Sequence, residues 1–425
     1  MVTFRFQKAL NSHGCHVRCY YVDVAAGLKF QPETQLSAGD KLLAREHNTE
    51  PVSLSELRTK TLSTDDATTE IELTKYGRLP SLSGLSLDEL EDFVKKHGLP
   101  KFRAKQIHSW IYSKWAKNFE EMTDLSADLR KKLSETAEVG LLNMAHLQVS
   151  SDDTRKYLFQ LPDGKMVESV LMAFQDRPSL TACVSSQVGC AVGCTFCATG
   201  YLGFKRNLTA QEIIDQIMSI QRESGKRVGN VVYMGQGEPL LNTDEVIESV
   251  KRLINTVGIG ARHITVSTSG IVPGIRQLAK ANLPITLALS LHAPDVETRE
   301  EIVPITKKYP IHEVMAAMHD YVDTTNRRVT IEYVLLKDVT DRPEQAIHLA
   351  ELVKDLHCNI NLIPFNPTLN PMGEALYDRP SRESQQRFKT LAARSGKTVT
   401  VRLERGTDID AACGQLHNKY TAGRK

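Results

Sequence analysis

Three cysteines in one short loop carry the clearest chemical signal in this 425-residue chain. Cys190, Cys194 and Cys197 are separated by three and then two residues, directly after a β-rich run at 180–188. Three sulfurs cannot all pair with one another as disulfides, but a short glycine-containing loop can direct them at one metal centre. They are one short of the cysteine set that holds a [4Fe-4S] cluster or closes a structural zinc site. The spacing therefore predicts a metal centre with one position open to a ligand from outside the protein.

Composition limits the classes of protein to which the chain can belong. Lys and Arg number 53 against 51 Asp and Glu, so any nucleic-acid-binding surface must be a local patch. No run approaches the roughly 18 apolar residues of a membrane span, and residues 1–8 lack the apolar core of a secretory signal. Eight cysteines, three of them clustered, are typical of reduced thiols and metal ligands. We therefore expect a cytoplasmic protein with no membrane association.

The segments around the cysteine loop alternate between strand and helix patterns. Strands are predicted at 231–234, 264–267, 285–291, 329–336 and 360–363, with helices between them. Together with the strand before the cysteines they make six strand–helix units, which predict an α/β fold with a parallel sheet closed or partly closed into a barrel. The cysteine loop and several polar segments follow the carboxyl ends of these strands, where such folds gather their active sites. We therefore expect one shared pocket.

A helical segment in front of the barrel contains a basic window. Ser86 and Glu89 form a capping box that begins the first of three predicted amphipathic helices. Seven Lys or Arg, no acidic residue and both tryptophans lie between Lys95 and Lys117. A solvated basic face over an aromatic core and a surface that contacts nucleic-acid phosphates are equally open interpretations.

These patterns divide the chain into five parts. Residues 31–69 are rich in Thr, Ser, Glu and Asp with little periodicity, which indicates a mobile extension. Asp163 and Gly164 predict a hairpin turn between short strands. The predicted parts are 1–80 for the extension, 81–149 for a helical accessory domain whose basic window is a candidate RNA-binding surface, 150–178 for a β-rich connector, 179–404 for the barrel and 405–425 for a carboxyl-terminal segment.

The cysteine loop and its flanks resemble a known enzyme family. The Cys-x3-Cys-x2-Cys loop after a first strand resembles the radical S-adenosylmethionine (SAM) superfamily. Longer strings resemble the RlmN family of dual-specificity adenine-C2 RNA methyltransferases over residues 85–416, whereas 1–80 match nothing in that family. The strings that carry this resemblance lie at 103–107, 183–190, 235–242, 267–270, 289–293, 361–367 and 405–415.

The resemblance implies a fold and a set of cofactors. The fold is a partial (β/α)6 TIM-like radical SAM barrel with a small N-terminal helical accessory domain. Cys190, Cys194 and Cys197 would ligate three irons of a [4Fe-4S] cluster, and SAM would occupy the fourth iron. The SAM-binding positions that it implies are Gly237, Glu238, Ser267, Ser290, Leu291, His292 and Asn366. A carboxylate suits the SAM amino group because it accepts charge-assisted hydrogen bonds. Taken alone, His292 is either a packing histidine or a site residue, and its place at the strand rim favours the site.

The same resemblance implies roles for two further cysteines and one carboxylate. Cys413 would be methylated by one SAM, and a second SAM would supply the radical that removes hydrogen from this methyl group, so that its carbon adds to adenine C2. Cys183 would then attack the Cys413 sulfur and resolve the covalent intermediate through a disulfide, in an exchange where thiolate is the reactive form. Glu168 would accept the proton. Without the resemblance these residues look like two ordinary structural thiols and a solvent-facing strand glutamate.

The implied substrates are 23S rRNA, at an adenosine of the peptidyl-transferase centre, and tRNA, at the adenosine next to the anticodon. An electron donor such as flavodoxin would be needed, and we expect a monomer. The target adenine must be unpaired or flipped before C2 can enter a barrel mouth. One open alternative is adenine-C8 methylation, as in Cfr-type resistance enzymes, which use the same cysteines. Another is a non-catalytic iron–sulfur or zinc module that binds rRNA, which would need four protein ligands but neither Cys183 nor Cys413.

Overall fold

The computed structural model describes residues 2–11, 14–23, 58–64, 67–73, 78–140, 142–174 and 177–417. The chain divides into two compact units, one made of 1–82 and 118–139 and the other of 83–117 and 140–425. Most of the stretch that the composition predicts to be mobile, 31–57, lies outside the described residues.

The first unit contains a four-stranded sheet in a region where the sequence shows little periodicity. Its strands are β1 (Val2–Asn11), β2 (Gly14–Asp23), β3 (Arg58–Thr64) and β4 (Ala67–Leu73). Their order is β2-β1-β3-β4, with β1 antiparallel to β2 and parallel to β3.

The three helices predicted in front of the barrel are present. They are α1 (Leu87–Lys96), α2 (Phe102–Tyr112) and α3 (Ala127–Thr136). The predicted capping box begins α1: the Glu89 amide donates to Ser86 Oγ at 3.2 Å, and the Ser86 amide donates to the Glu89 carboxylate at 2.6 Å. Gly98, in the left-handed region at φ 67°, follows its end. Helices α1 and α2 belong to the second unit and α3 to the first.

One open sheet of ten strands forms the body of the second unit, counted over its described residues. The strands of this unit are β5 (Asn143–Val149), β6 (Arg155–Gln160), β7 (Met166–Phe174), β8 (Arg177–Cys183), β9 (Gln187–Val188), β10 (Arg206–Asn207), β11 (Val228–Tyr233), β12 (Ile264–Thr268), β13 (Thr286–Ser290), β14 (Val329–Leu335), β15 (Cys358–Pro364) and β16 (Val399–Val401). Strands β9 and β10 pair separately, and the other ten are ordered β16-β15-β14-β13-β12-β11-β8-β7-β6-β5.

The parallel part of this sheet confirms the predicted α/β fold. Strand β8 and strands β11 to β16 pair in parallel. On the other side of β8 the sheet continues with β7, β6 and β5, each antiparallel to the strand before it. The barrel is therefore partial, because β16 and β5 are edges of the sheet. The strands at 143–174 continue this sheet, with the predicted Asp163–Gly164 turn joining β6 to β7.

Helices cover the parallel strands. They are α4 (Ala198–Tyr201), α5 (Ala210–Ser224), α6 (Thr243–Arg252), α7 (Val272–Ala281), α8 (Val296–Ile302), α9 (Ile311–Thr325), α10 (Pro343–Leu352) and α11 (Arg382–Ala392). Helix α5 begins at a capping box formed by Thr209 and Glu212, and it buries a stripe of isoleucines. Each such side chain stabilises the fold by about 1.5–3 kcal/mol when it is fully buried. Across the described residues, no helix is both long and apolar enough to cross a bilayer.

Candidate active site

A cavity at the carboxyl ends of the parallel strands contains the cysteine loop. Its wall includes most of the residues that the sequence singles out. These are Cys190, Cys194, Cys197, Gly237, Glu238, Ser267, Ser290, His292, Asn366 and Cys413. Three predicted residues, Leu291, Cys183 and Glu168, do not line the cavity itself. The structure thus brings ten of thirteen predicted residues to one cavity, as expected for strand ends that share a rim.

The three loop cysteines are free thiols in a largely apolar environment. They are partly buried, and Cys190 and Cys194 pack against a cluster that includes Val192 and Phe365. Burial raises the pKa of all three thiols, that of Cys190 to about 12, and the neighbouring thiols raise the pKa of Cys194 further. Bare thiolates are therefore unfavourable here, and a positive centre has to compensate their charge.

The donor set fits a cluster better than a single ion. A mononuclear zinc site gathers its sulfurs at about 2.3 Å from one ion. In the described part of the chain, no three His, Cys, Asp or Glu side chains are arranged to hold a single ion. In a [4Fe-4S] cluster each cysteine binds a different iron, so three cysteines that line one cavity without converging on a point suit this group.

Gly237 and Glu238 shape the wall between β11 and β12. Gly237 has φ 102°, and a Cβ atom on it would lie 2.5 Å from the Gln187 Cβ, so a side chain is excluded at this position. The Glu238 carboxylate accepts hydrogen bonds from the Ser269 amide at 2.7 Å, the Ser269 hydroxyl at 2.8 Å and the Leu240 amide at 2.9 Å. Burial raises its pKa, and these hydrogen bonds oppose the shift. The fixed carboxylate can accept from a cationic ligand.

His292 and Asn366 present polar groups in the same cavity. Burial, and secondarily the charge of Arg299, lower the pKa of His292 to about 3, so the ring is neutral. Its Nδ1 accepts from the Val334 amide at 3.1 Å, which leaves the ring proton on Nε2. Asn366 Nδ2 donates to the Cys413 carbonyl at 3.2 Å, while its buried Oδ1 has no hydrogen-bond partner among the residues that the structure describes. An unsatisfied buried acceptor costs about 1–3 kcal/mol, so a ligand that donates to it would be stabilised here.

Cys413 and Cys183 lie beside each other although they are 230 residues apart. Cys183 ends β8 and packs in an apolar cluster with Ala411 and Leu416, which flank Cys413. Burial raises the pKa of Cys183 to about 12, the charge of Cys413 raises it further, and the charge of Arg402 opposes both effects. Both cysteines are free thiols. The two thiols are therefore close enough for their charges to interact.

Comparison with known proteins identifies the family. The Radical SAM superfamily model matches residues 184–350, and the model of the Ribosomal RNA large subunit methyltransferase N-terminal domain matches 81–139. A probable dual-specificity RNA methyltransferase RlmN from Symbiobacterium thermophilum is 49% identical over 350 residues, which are 81% of this chain and 93% of that protein. This chain belongs to the RlmN family. A relative of the same name from Thermoanaerobacter sp. is 46% identical over 81% of this chain and 99% of its own length.

A solved structure supports the RlmN assignment. The radical SAM methyltransferase from Sphaerobacter thermophilus matches with a TM-score of 0.75 and 44% identity, and the match covers 79% of this chain and 99% of that one. The predicted resemblance to the RlmN family is thereby confirmed.

Glu168, the proton acceptor that the RlmN resemblance implies, is not solvent-facing. The expectation from its strand context alone is wrong, because the residue is only 4% exposed. Its Oε2 accepts from the His417 amide at 2.7 Å, and its Oε1 lies 3.7 Å from Lys156 Nζ. Strand alternation could not reveal this, since the residues that bury Glu168 come from the far end of the chain.

Sequence reasoning missed two charged residues that line the RlmN-type cavity, Glu332 on β14 and Arg402 just after β16. The Glu332 carboxylate accepts from Asn361 Nδ2 at 2.8 Å. The charges of Cys413, Glu332 and Cys183 raise the pKa of Arg402, with Cys413 having the largest effect. Two features of the sequence could have indicated these residues. Glu332 is a single charge inside the apolar strand 329–335, and Arg402 directly follows a three-residue strand.

Arg299 on α8 was also missed, and it supports the cavity from below the strand ends. Its guanidinium is fully buried and donates to the Leu291 carbonyl at 2.9 Å, the Ser269 carbonyl at 2.6 Å and the Thr306 hydroxyl at 2.8 Å. Burial lowers the pKa of Arg299 to about 10, so it remains a cation. Leu291 thus contributes its backbone to the brace of the site.

Proposed function

We propose that this RNA methyltransferase modifies C2 of an adenosine in the peptidyl-transferase centre of 23S rRNA and of the adenosine next to the anticodon in tRNA. The observation that carries the proposal is the position of Cys413 in the same cavity as Cys190, Cys194 and Cys197. A methyl group on Cys413 would face the place where a cluster and SAM would bind. We further propose that it acts in the cytoplasm as a monomer, with an electron donor such as flavodoxin.

Cys190, Cys194 and Cys197 would hold a [4Fe-4S] cluster, and the polar wall with Gly237 and Glu238 would hold SAM. Bound together, the cluster and SAM supply methyl transfer and one-electron removal of a hydrogen atom, with two SAM molecules used per turnover. The fixed Glu238 carboxylate would accept from the SAM amino group. His292 Nε2 and Asn366 Oδ1 offer one donor and one acceptor to the same ligand.

The chain's own groups would then handle carbon and proton transfer. The Cys413 sulfur carries the methyl carbon to the base, because C2 of adenine is electron-poor and is not a nucleophile toward SAM. The Cys183 thiolate attacks the Cys413 sulfur, the electron pair of the sulfur–carbon bond stays with the transferred carbon, and this carbon takes up a proton to become the methyl group. The disulfide that joins the two sulfurs has to be reduced by an external thiol before the next turnover. The Glu168 carboxylate accepts the proton lost from C2. Burial of Cys183 and Glu168 and partial burial of Cys413 limit the access of water during these steps.

The basic window on α1 and α2 supports RNA binding. Lys95, Lys96, Lys105 and Lys117 are exposed, and Lys114 Nζ lies 3.5 Å from the centroid of the Trp110 ring. A row of exposed cations beside an aromatic residue suits a nucleic-acid backbone with unpaired bases. By contrast, Arg206, which follows the cysteine loop, forms ion pairs with Asp163 and Glu212 and is largely buried.

The test is product identification. The reconstituted enzyme is incubated with SAM, a reductant and either 23S rRNA fragments or tRNA, and the RNA is digested to nucleosides for mass spectrometry. The proposal predicts 2-methyladenosine from both substrates and two SAM consumed per product. Appearance of 8-methyladenosine would indicate the C8 activity, and absence of any methylated adenosine would contradict the proposal.

A further inference from the structure

Two buried charged residues of the β6–β7 hairpin hold both ends of the segment that carries Cys413. Lys156 Nζ donates to the Asp410 carbonyl at 3.2 Å. Glu168 Oε2 accepts from the His417 amide at 2.7 Å. The two side chains, 6% and 5% exposed, face each other with 3.7 Å between Nζ and Oε1. One ion pair therefore connects residue 410 to residue 417, and we call 410–417 the carrier segment.

The opposite side of the carrier segment is attached to the cysteine loop and to β15. The Ala198 amide donates to the Gly414 carbonyl at 2.7 Å, and the Thr199 hydroxyl donates to the Leu416 carbonyl at 2.7 Å. Asn366 holds the Cys413 carbonyl, as described above. The carrier segment is thus hydrogen-bonded to the residues around the cysteine loop and β15 and also to Lys156 and Glu168 of the hairpin.

Burying an ion pair has a large desolvation cost. Removing two charges from water costs more than their attraction returns unless additional hydrogen bonds satisfy them. Here two such hydrogen bonds go to backbone groups of the carrier segment, so the closed segment helps to satisfy the pair. His417, whose amide donates to Glu168, has its ring Nδ1 2.6 Å from the Gln415 carbonyl.

We propose that Lys156 is a positioning residue that, together with Glu168, holds the carrier segment closed. When Glu168 accepts a proton, the attraction to Lys156 is lost and the bond to the His417 amide weakens. Proton acceptance would therefore loosen the carrier segment at the stage when Cys183 must reach the Cys413 sulfur. The proton-coupled part rests on the proposed function, whereas the closed segment does not.

Hydrogen exchange on the cluster-loaded, full-length protein tests the closed segment without RNA. Lys156→Met removes the cation, and Glu168→Gln mimics the protonated acid. Both should raise exchange of the 410–417 amides about tenfold, the ratio expected for loss of a charge-assisted hydrogen bond. Lys156→Arg should restore protection. Lys165→Met is the matched control, since Lys165 is an exposed cation of the same hairpin that pairs with Asp163. Unchanged exchange in Lys156→Met, or an equal rise in Lys165→Met, would overturn the proposal.

Single-turnover methylation tests whether Lys156 acts through Glu168. Lys156→Met should slow formation of the methylated base about tenfold or more with unchanged RNA affinity, and Lys156→Arg should recover most of the rate. In the Glu168→Gln background, Lys156→Met should have no further effect, because coupled residues are not additive. Additive losses would overturn the role through Glu168. If the wild type makes no methylated adenosine, the proposed function fails while the exchange measurement still decides the closed segment.

Discussion

At the scale of single residues, the cysteines differ in their surroundings. The thiols of the loop line the cavity, Cys413 faces them, and Cys183 lies in the adjoining apolar cluster. Cys358 is equally buried but lies on β15 outside this cavity, and burial alone raises its pKa to about 11. Spacing predicted the loop, but only the folded chain shows that Cys183 and Cys413 lie together.

The first prediction concerns Cys183. Cys183→Ala should accumulate a covalent protein–RNA species, because no thiol remains to attack the Cys413 sulfur. Labelled RNA that migrates with the protein on a denaturing gel measures this species. Cys358→Ala is the control and should leave turnover in place. Normal turnover by Cys183→Ala, without a crosslinked species, would contradict the assigned role.

The second prediction concerns pH. Burial raises the pKa of Cys183 to about 12, so its reactive thiolate is a small fraction at neutral pH. Below that pKa the thiolate fraction rises about tenfold per pH unit, so decay of the crosslinked species should speed up with increasing pH. A pH jump from 7 to 9 on preformed crosslink gives the slope. A rate that does not change with pH would mean that this thiol does not limit the resolution step.

At the scale of elements, hydrophobic periodicity predicted the strands and helices whose formation depends on local sequence. The strands from β8 to β15 and the stripe of α5 follow from apolar spacing and caps. Strand β16 was missed because three residues show no period, and the sheet role of β5 to β7 was missed because pairing partners are distant in sequence. Arg299 looks like a surface residue of a charged helix, since its burial depends on strand ends that the sequence does not bring together.

The third prediction tests the Arg299 brace. Arg299→Met removes the buried hydrogen bonds to the Ser269 carbonyl, the Leu291 carbonyl and the Thr306 hydroxyl. The Leu291 carbonyl keeps the Ala293 amide as a donor at 2.8 Å, and a buried acceptor left unsatisfied costs about 1–3 kcal/mol. We expect the free energy of unfolding to fall by about 3 kcal/mol in denaturant titration. Arg276→Met is the control, because its exposed pair with Asp320 at 3.8 Å contributes about 0–1 kcal/mol. Equal effects of the two variants would show that Arg299 does not brace the site.

At the scale of the whole molecule, the balanced net charge does not indicate RNA binding. The indication comes from the basic window between Lys95 and Lys117. The seven cations between Lys95 and Lys117 are on α1, on α2 and in the loops around α2, and the RlmN N-terminal model covers the same residues. Their contacts differ in a way that the sequence could not show. Lys101 pairs with Glu91 at 2.8 Å, whereas Lys105 is exposed.

The fourth prediction concerns this basic surface. Charge reversal of Lys101, Arg103 and Lys105 should weaken RNA binding about tenfold or more and reduce its salt dependence, because phosphate contacts release counterions. SAM cleavage without RNA should be unchanged, since these residues do not line the cavity. Lys280→Glu on α7 is a single-reversal control at an exposed position. Unchanged RNA affinity in the triple variant would remove this surface from the account.

The central claim is that Cys413 carries the transferred carbon. The most direct measurement compares wild type with Cys413→Ala, both reconstituted with a cluster and given SAM, reductant and a 23S rRNA fragment, and quantifies 2-methyladenosine by mass spectrometry. We expect 2-methyladenosine from the wild type and none from Cys413→Ala. SAM cleavage should persist in the variant because the three loop cysteines are intact. Equal 2-methyladenosine from the two proteins would contradict the central claim.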